Sequence, residues 1–182
     1  MTVQRDQIVD YQTWTDQRDA ELERILQIKG VRRISVGDHL TFLFENDDTI
    51  RWQVQEMMRV ERIVRERDIQ HELDTYNELL GNPGGLGCTL LIEIDDATKR
   101  ATLLREWLDL PRHVYVRVGP DKVYARIDER QIGTERVSSV QYLLFDLDGR
   151  VPDGVGCDLP AYTAETTLSD TQRDCLSADL ES

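Results

Sequence analysis

No stretch of about 18 apolar residues occurs in the chain, so no membrane-spanning helix is expected. The opening MTVQRDQIVD lacks the charged-then-apolar pattern of a signal peptide, which makes the cytoplasm the expected compartment. Cysteine is scarce. Cys88, Cys157 and Cys175 lie far apart and form no C-x-x-C pair, which argues against a disulfide framework and a zinc knuckle. Each reads as a small buried or half-buried residue. Lysine is scarcer relative to its class: Lys29, Lys99 and Lys122 are the only three among 22 basic residues. The sequence has no G-x-S-x-G, G-x-G-x-x-G, H-E-x-x-H or EF-hand loop, and no E-x-x-H of the di-iron kind. Familiar catalytic machinery is therefore not visible, and no metal site is expected. The glycine-rich GNPGGLG of residues 81–87 follows a helical pattern and opens a strand pattern. Phosphate-cradling loops run the other way, so a flexible turn is expected there. His39, His71 and His113 each sit opposite an apolar pattern and read as solvated.

What is present suits a globular protein. The 182 residues are 40% hydrophobic and 31% charged. A chain of this size fits one domain, 1–182, and buries about 70% of its unfolded surface. The net charge of −13 repels a phosphate backbone, so nucleic acid is an unlikely partner.

The periodicities alternate between helix and strand. Thr13 and Asp16 look like a capping pair for a helix carrying Trp14, Leu22, Ile25, Leu26 and Ile28 up to Gly30. VRRISV and HLTFLFE form a hairpin turning at Gly37-Asp38, with Leu40, Phe42 and Phe44 on one buried face. Asp48 or Thr49 caps the next helix, and DIQHELDTYNELL follows with Ile69, Leu73, Tyr76 and Leu80 on one side. CTLLIEI is a strand, DATKRATLLREWLDL a helix ended by Pro111, and RHVYVRVGPDKVYARID a hairpin around Gly119-Pro120-Asp121. SSVQYLLFDL is apolar on both sides, which suits a strand near the centre of a sheet. The tail holds one or two short strands and a helix from Ser169 to about Leu180. The expected fold class is α+β: a single domain with a largely antiparallel mixed sheet and several packed helices.

The segment WQVQEMMRVERIV, residues 52–64, raises the chemical question. On a helical wheel Ile50, Val54, Met57, Met58, Val60 and Val64 share one arc, and Glu61 falls inside it with Gln53 at the edge. A carboxylate in an apolar stripe must be paired, protonated or bound to something. Glu61 is thus either an acid/base group or one end of an i,i+4 pair with Arg65. The candidate binding residues are Gln53, Gln55, Glu56, Arg59 and Glu61, with Tyr76 from the following helix. A second surface places His113, Tyr115, Arg117, Tyr124 and Arg126 on one face of the hairpin. Aromatics interleaved with arginines suit an anionic ligand or single-stranded nucleic acid, and equally the solvated side of an antiparallel sheet.

On VRRISVGDHLTFLFEN, WQVQEMMRVERI with HELDTYNELL, TLLIEI and SSVQYLLFDL, the chain resembles a prokaryotic family known as domain of unknown function 3501, over about residues 5–180. By that resemblance Gln53, Gln55, Glu56, Arg59 and Glu61 match a Q-V-Q-E-M-x-R-x-E signature. A D-H-P-x-Y pattern is met by Asp158, Pro160 and Tyr162, with Leu159 in place of the histidine. The resemblance implies no defined activity or cofactor. It does imply a link to redox or oxidative-stress systems and a protein partner among redox or iron proteins. The expected function is an uncharacterised, non-catalytic or accessory binding protein. A metal-dependent or small-molecule enzyme built around Glu56 and Glu61 is the alternative, and a single-stranded nucleic-acid binder the last.

Overall fold

The computed structural model describes residues 2–128 and 133–181. Its elements run α1 (Tyr11–Arg32), β1 (Arg33–Val36), β2 (Leu40–Phe44), α2 (Asp47–Glu61), α3 (Glu66–Asn77), β3 (Gly85–Ile92), α4 (Ala97–Glu106), β4 (Val114–Val118), β5 (Asp121–Tyr124), β6 (Val140–Asp146), β7 (Gly154–Leu159), β8 (Tyr162–Thr167) and α5 (Asp170–Leu180). The fold is α+β, as the periodicities predict. The strands form two four-stranded sheets rather than one, ordered β1-β2-β3-β6 and β5-β4-β7-β8, and every named pairing is antiparallel.

The two sheets face each other across one core. Phe42, Phe44, Leu90 and Phe145 from the first meet Val114, Val116, Val155 and Cys157 from the second, and α5 adds Leu176 and Leu180. Their edges also touch. Arg126, just past β5, bridges Leu144 of β6 through N–H to carbonyl bonds of 2.7 and 3.1 Å. At the other edge the Tyr162 hydroxyl donates to the Val36 carbonyl at 2.8 Å, and the Thr166 hydroxyl donates to that of Ser35 at 2.7 Å. The result is a flattened, nearly closed barrel, which leaves few free strand edges for aggregation.

Helices α1, α2 and α3 cover the outer face of the first sheet, whereas α4 and α5 pack on the inter-sheet core. α1 and α2 join through Trp14 and Trp52, whose rings meet edge to face at 5.2 Å. α2 and α3 share Ile50, Val54, Met58, Ile69 and Leu73 with Val3 and Ile8 of the N-terminal segment. That segment has no regular partner strand. Two side-chain amides serve it instead: Gln55 accepts from the Val9 N–H at 2.7 Å and donates to its carbonyl at 3.1 Å, and Asn77 does the same for Val3 at 2.8 and 3.0 Å.

Several sequence expectations shift in detail. α1 starts earlier than Thr13, because the Asp10 carboxylate accepts from the Gln12 and Thr13 N–H groups, and Leu26 on its outer side is exposed. α2 is capped by Asn46 with a reciprocal bond from Thr49. β2 is buried on both faces, since helices lie over its polar side. β6 is an edge strand, with Val140 and Tyr142 38% and 39% exposed, whereas β2 and β3 take the sheet centre. The glycine-rich run turns at Pro83-Gly84, as expected, but its last three residues enter β3. A Cβ on Gly87 would lie 1.7 Å from the Leu79 carbonyl oxygen, so only glycine lets the loop after α3 pack on the strand.

Candidate functional site

The apolar stripe of α2 ends sooner than the wheel implies. Arg62 takes a left-handed conformation with φ 53°, and Ile63 N–H donates back to the Met58 carbonyl at 3.0 Å, a helix end made without glycine. Val60 and Val64 are therefore exposed. Glu61 is exposed as the last helical residue, and among the described residues it forms no ion pair with Arg65, which lies beyond the break. The i,i+4 pair of Glu61 with Arg65 is therefore not realised, and Glu61 does not sit in a buried apolar stripe.

Glu56 is the opposite case. It accepts from Trp14 Nε1 at 2.9 Å, from Arg18 Nε at 3.0 Å and from Arg59 Nε at 3.0 Å. Burial pushes its carboxyl up, but the bonds from Arg59, Trp14 and Arg18 outweigh burial and bring it down to about 2. Such a carboxylate ties α1 to α2 and is poorly suited to proton transfer near neutral pH. Gln55, fully buried, is engaged with Val9. The structure thus brings Glu56 and Arg59 together in one ion pair and sets Gln55 and Glu61 apart from it.

Gln53 and Tyr76 do come together. They line a chamber of ≈ 220 Å³ between the helices and the outer face of the first sheet, with Lys29 of α1, Glu45 after β2, Thr49 of α2, Thr89 of β3 and Tyr142 of β6. Glu45 is fixed in place: the Thr89 hydroxyl donates to one carboxylate oxygen at 2.6 Å and the Thr49 hydroxyl to the other. Thr49 is pre-set by its own capping bond with Asn46, and Thr89 by its register opposite Leu43 and Tyr142. Burial lowers the Lys29 ammonium's pKa; the Glu45 carboxylate opposes this and Arg33 adds to it. Burial raises the Tyr76 phenol, with Gln53 pulling the other way. Leu43, Ile50, Leu79 and Leu91 complete the walls. A convergence of tuned groups on a partly open space between layers is a usual form of a ligand site. An open groove of ≈ 660 Å³ lies alongside and shares Leu79 and Tyr142 with the chamber. Two of its polar side chains are engaged elsewhere, Asn77 with Val3 and Arg126 with Asp146.

The hairpin face is a closed network. Asp158 accepts from Tyr124 at 2.6 Å, Lys122 at 2.9 Å and His113 at 3.2 Å. The Tyr124 bond, then those from Lys122 and His113, outweigh burial and hold its carboxyl at about 2. Tyr115 reaches over Gly156, where a Cβ would lie 2.6 Å from its hydroxyl, to donate to Glu165 at 2.7 Å. Arg117 pairs with Asp153 and Glu165. The cations of this face are matched by its own carboxylates. Leu159, where the family pattern has histidine, points into the core. His39 is half-buried rather than solvated: its ring lies 5.9 Å from Trp107, and its Nε2 is 3.2 Å from Lys99 Nζ. Among the described residues no group of three or more His, Cys, Asp or Glu side chains is placed to hold a metal ion, and no helix is long and apolar enough to cross a membrane.

The family model described as Protein of unknown function (DUF3501) matches residues 2–180. The chain belongs to this family. A crystal structure of a novel protein of unknown function from Burkholderia pseudomallei K96243 is similar, at 32% identity and a TM-score of 0.90, covering 99% of this chain and 100% of that one. No curated protein matches the chain.

The sequence reading missed Lys29, Glu45, Thr49, Thr89 and Tyr142. One signal was available: Glu45 alternates with Phe42 and Phe44 and so reads as the solvated side of β2. The helices that cover that side turn its polar residues into the floor of a chamber.

Proposed function

We propose that the protein is a non-catalytic binding protein for a small polar molecule, held in the chamber between α1–α3 and the first sheet. The observation that carries this is Glu45, a carboxylate fixed by two threonine hydroxyls and facing a space that Lys29, Gln53 and Tyr76 also line. Ordering a carboxylate in this way is worthwhile where a partner must be met with fixed geometry. The chamber is smaller than the roughly 300–1,000 Å³ of pockets for drug-sized ligands, so the ligand is small.

The alternative enzyme built on Glu56 and Glu61 finds no support in a saturated carboxylate and an exposed one. The redox link finds none in the thiols: burial raises the pKa of all three cysteines, and so keeps them in the unreactive protonated form.

Thermal-shift screening of small polar compounds tests the proposal, with Glu45→Gln and Thr89→Val as companions. Ligands should stabilise the parent protein and bind at least about tenfold more weakly to both variants, a loss of about 1.4 kcal/mol. Compounds that bind parent and variants alike would place the site elsewhere.

A further inference from the structure

The chain holds three lysines, and two are engaged. Lys99 Nζ lies 3.2 Å from His39 Nε2. Lys122 donates to Asp158 at 2.9 Å and sits 4.2 Å from the Tyr115 ring centroid. Lys29 lines the chamber, and among the described residues its ammonium has neither a hydrogen bond nor an ion pair. An amine left in this state, lining one chamber with a rigid carboxylate and a phenol, is an arrangement for carbonyl chemistry.

We infer that Lys29 captures a small neutral carbonyl compound, an aldehyde or ketone carrying a hydroxyl group, as an imine inside the chamber. The inference rests on the chamber being the ligand site. The neutral Lys29 nitrogen adds to the carbonyl carbon. One of its two protons passes to Glu45 and the carbonyl oxygen takes a proton from Tyr76, giving a neutral carbinolamine. Glu45 then hands its proton to the hydroxyl, the C–O bond breaks and water leaves. The remaining proton on nitrogen returns to the Tyr76 phenolate, and a C=N bond stands in place of the C=O. Nothing is oxidised or reduced. The Tyr76 phenol, kept protonated by burial, is a donor for the carbonyl oxygen, and Glu45 is an acceptor for the proton that leaves nitrogen. Only the free amine reacts, and at pH 7 an ordinary lysine is free in only about 0.04% of molecules. Burial shifts Lys29 in the productive direction, whereas Lys122 is shifted the other way by its bond to Asp158. The negative charge on Glu45 disfavours an acidic ligand, and a ligand hydroxyl can use the lone pairs that the threonines leave open.

Borohydride trapping tests this directly. The full chain is incubated with hydroxyacetone at pH 7, reduced with sodium borohydride and digested for peptide mass spectrometry, with Lys99, Lys122 and the α-amino group as internal controls. Labelling at Lys29 should exceed that at each control at least tenfold, disappear in Lys29→Arg and fall in Tyr76→Phe. Because Lys29→Arg could disturb the fold, the lysine side-chain resonances of the parent protein are titrated as well, and Lys29 should lose its proton at lower pH than Lys122. Equal labelling of all amines, or none, overturns the inference, as does a Lys29 that titrates with Lys122. Shifts of the Gln53, Tyr76 and Thr89 amides on adding hydroxyacetone, without an adduct, would sink the imine and leave the binding site standing.

Discussion

Glu56 shows how much one residue decides in this protein. Three donors from two helices meet on its carboxylate, so its proton affinity differs sharply between folded and unfolded chains. Its folded value of about 2 lies below the ordinary 4.5, so the carboxylate form stabilises the fold. That stabilisation is complete above about pH 4.5 and is lost as pH falls through 4.5 towards 2. The shift corresponds to about 3 kcal/mol, and partial solvent screening reduces it to about 2. Urea denaturation of Glu56→Gln should show this loss at pH 7, and the gap to the parent should close near pH 2. A gap that does not change with pH would mean that packing against Trp14, and not charge, is the larger effect.

At the scale of elements, the N-terminal segment is held by side chains where a sheet would use backbone. Gln55, itself fully buried, supplies Val9 with the two bonds that a neighbouring strand would supply. Gln55→Ala should cost about 1–2 kcal/mol, because two half-buried backbone groups of Val9 lose their partner. Hydrogen exchange should quicken at Val9 and leave β3 unchanged; loss of protection throughout the chain would show that the segment unfolds only with the whole. The same segment marks the limit of what the sequence discloses. The hairpin at Gly37-Asp38, the hairpin around Gly119-Pro120-Asp121, and the last helix beginning at Ser169 are all local patterns, and all are realised. The end of α2 at Arg62 carries no glycine or proline, so the wheel runs on past it and sets Glu61 in a stripe it does not join. The edge position of β6 depends on which strands pair, which no local pattern contains. Gln53 and Tyr76 were found because they lie on periodic helices; Lys29, Glu45 and Thr89 became neighbours only through the layering of helices on sheet.

For the molecule as a whole, the two sheets enclose an apolar core, and each carries its polar face on the outside of the barrel. On the second sheet that face is solvated and its charges satisfy one another, with Asp158 and Glu165 gathering the nearby tyrosines and cations. On the first, helices cover the polar face and enclose the chamber. The difference between the faces is the central reason for assigning the ligand to the first. Crystals soaked with small hydroxylated carbonyl compounds and polar fragments test that assignment most directly. Ordered ligand density between Lys29 and Glu45, with Thr49 and Thr89 still bonded to the carboxylate, is the expected result. Fragments that gather over Tyr115 and Lys122, with the chamber holding water alone, would contradict it.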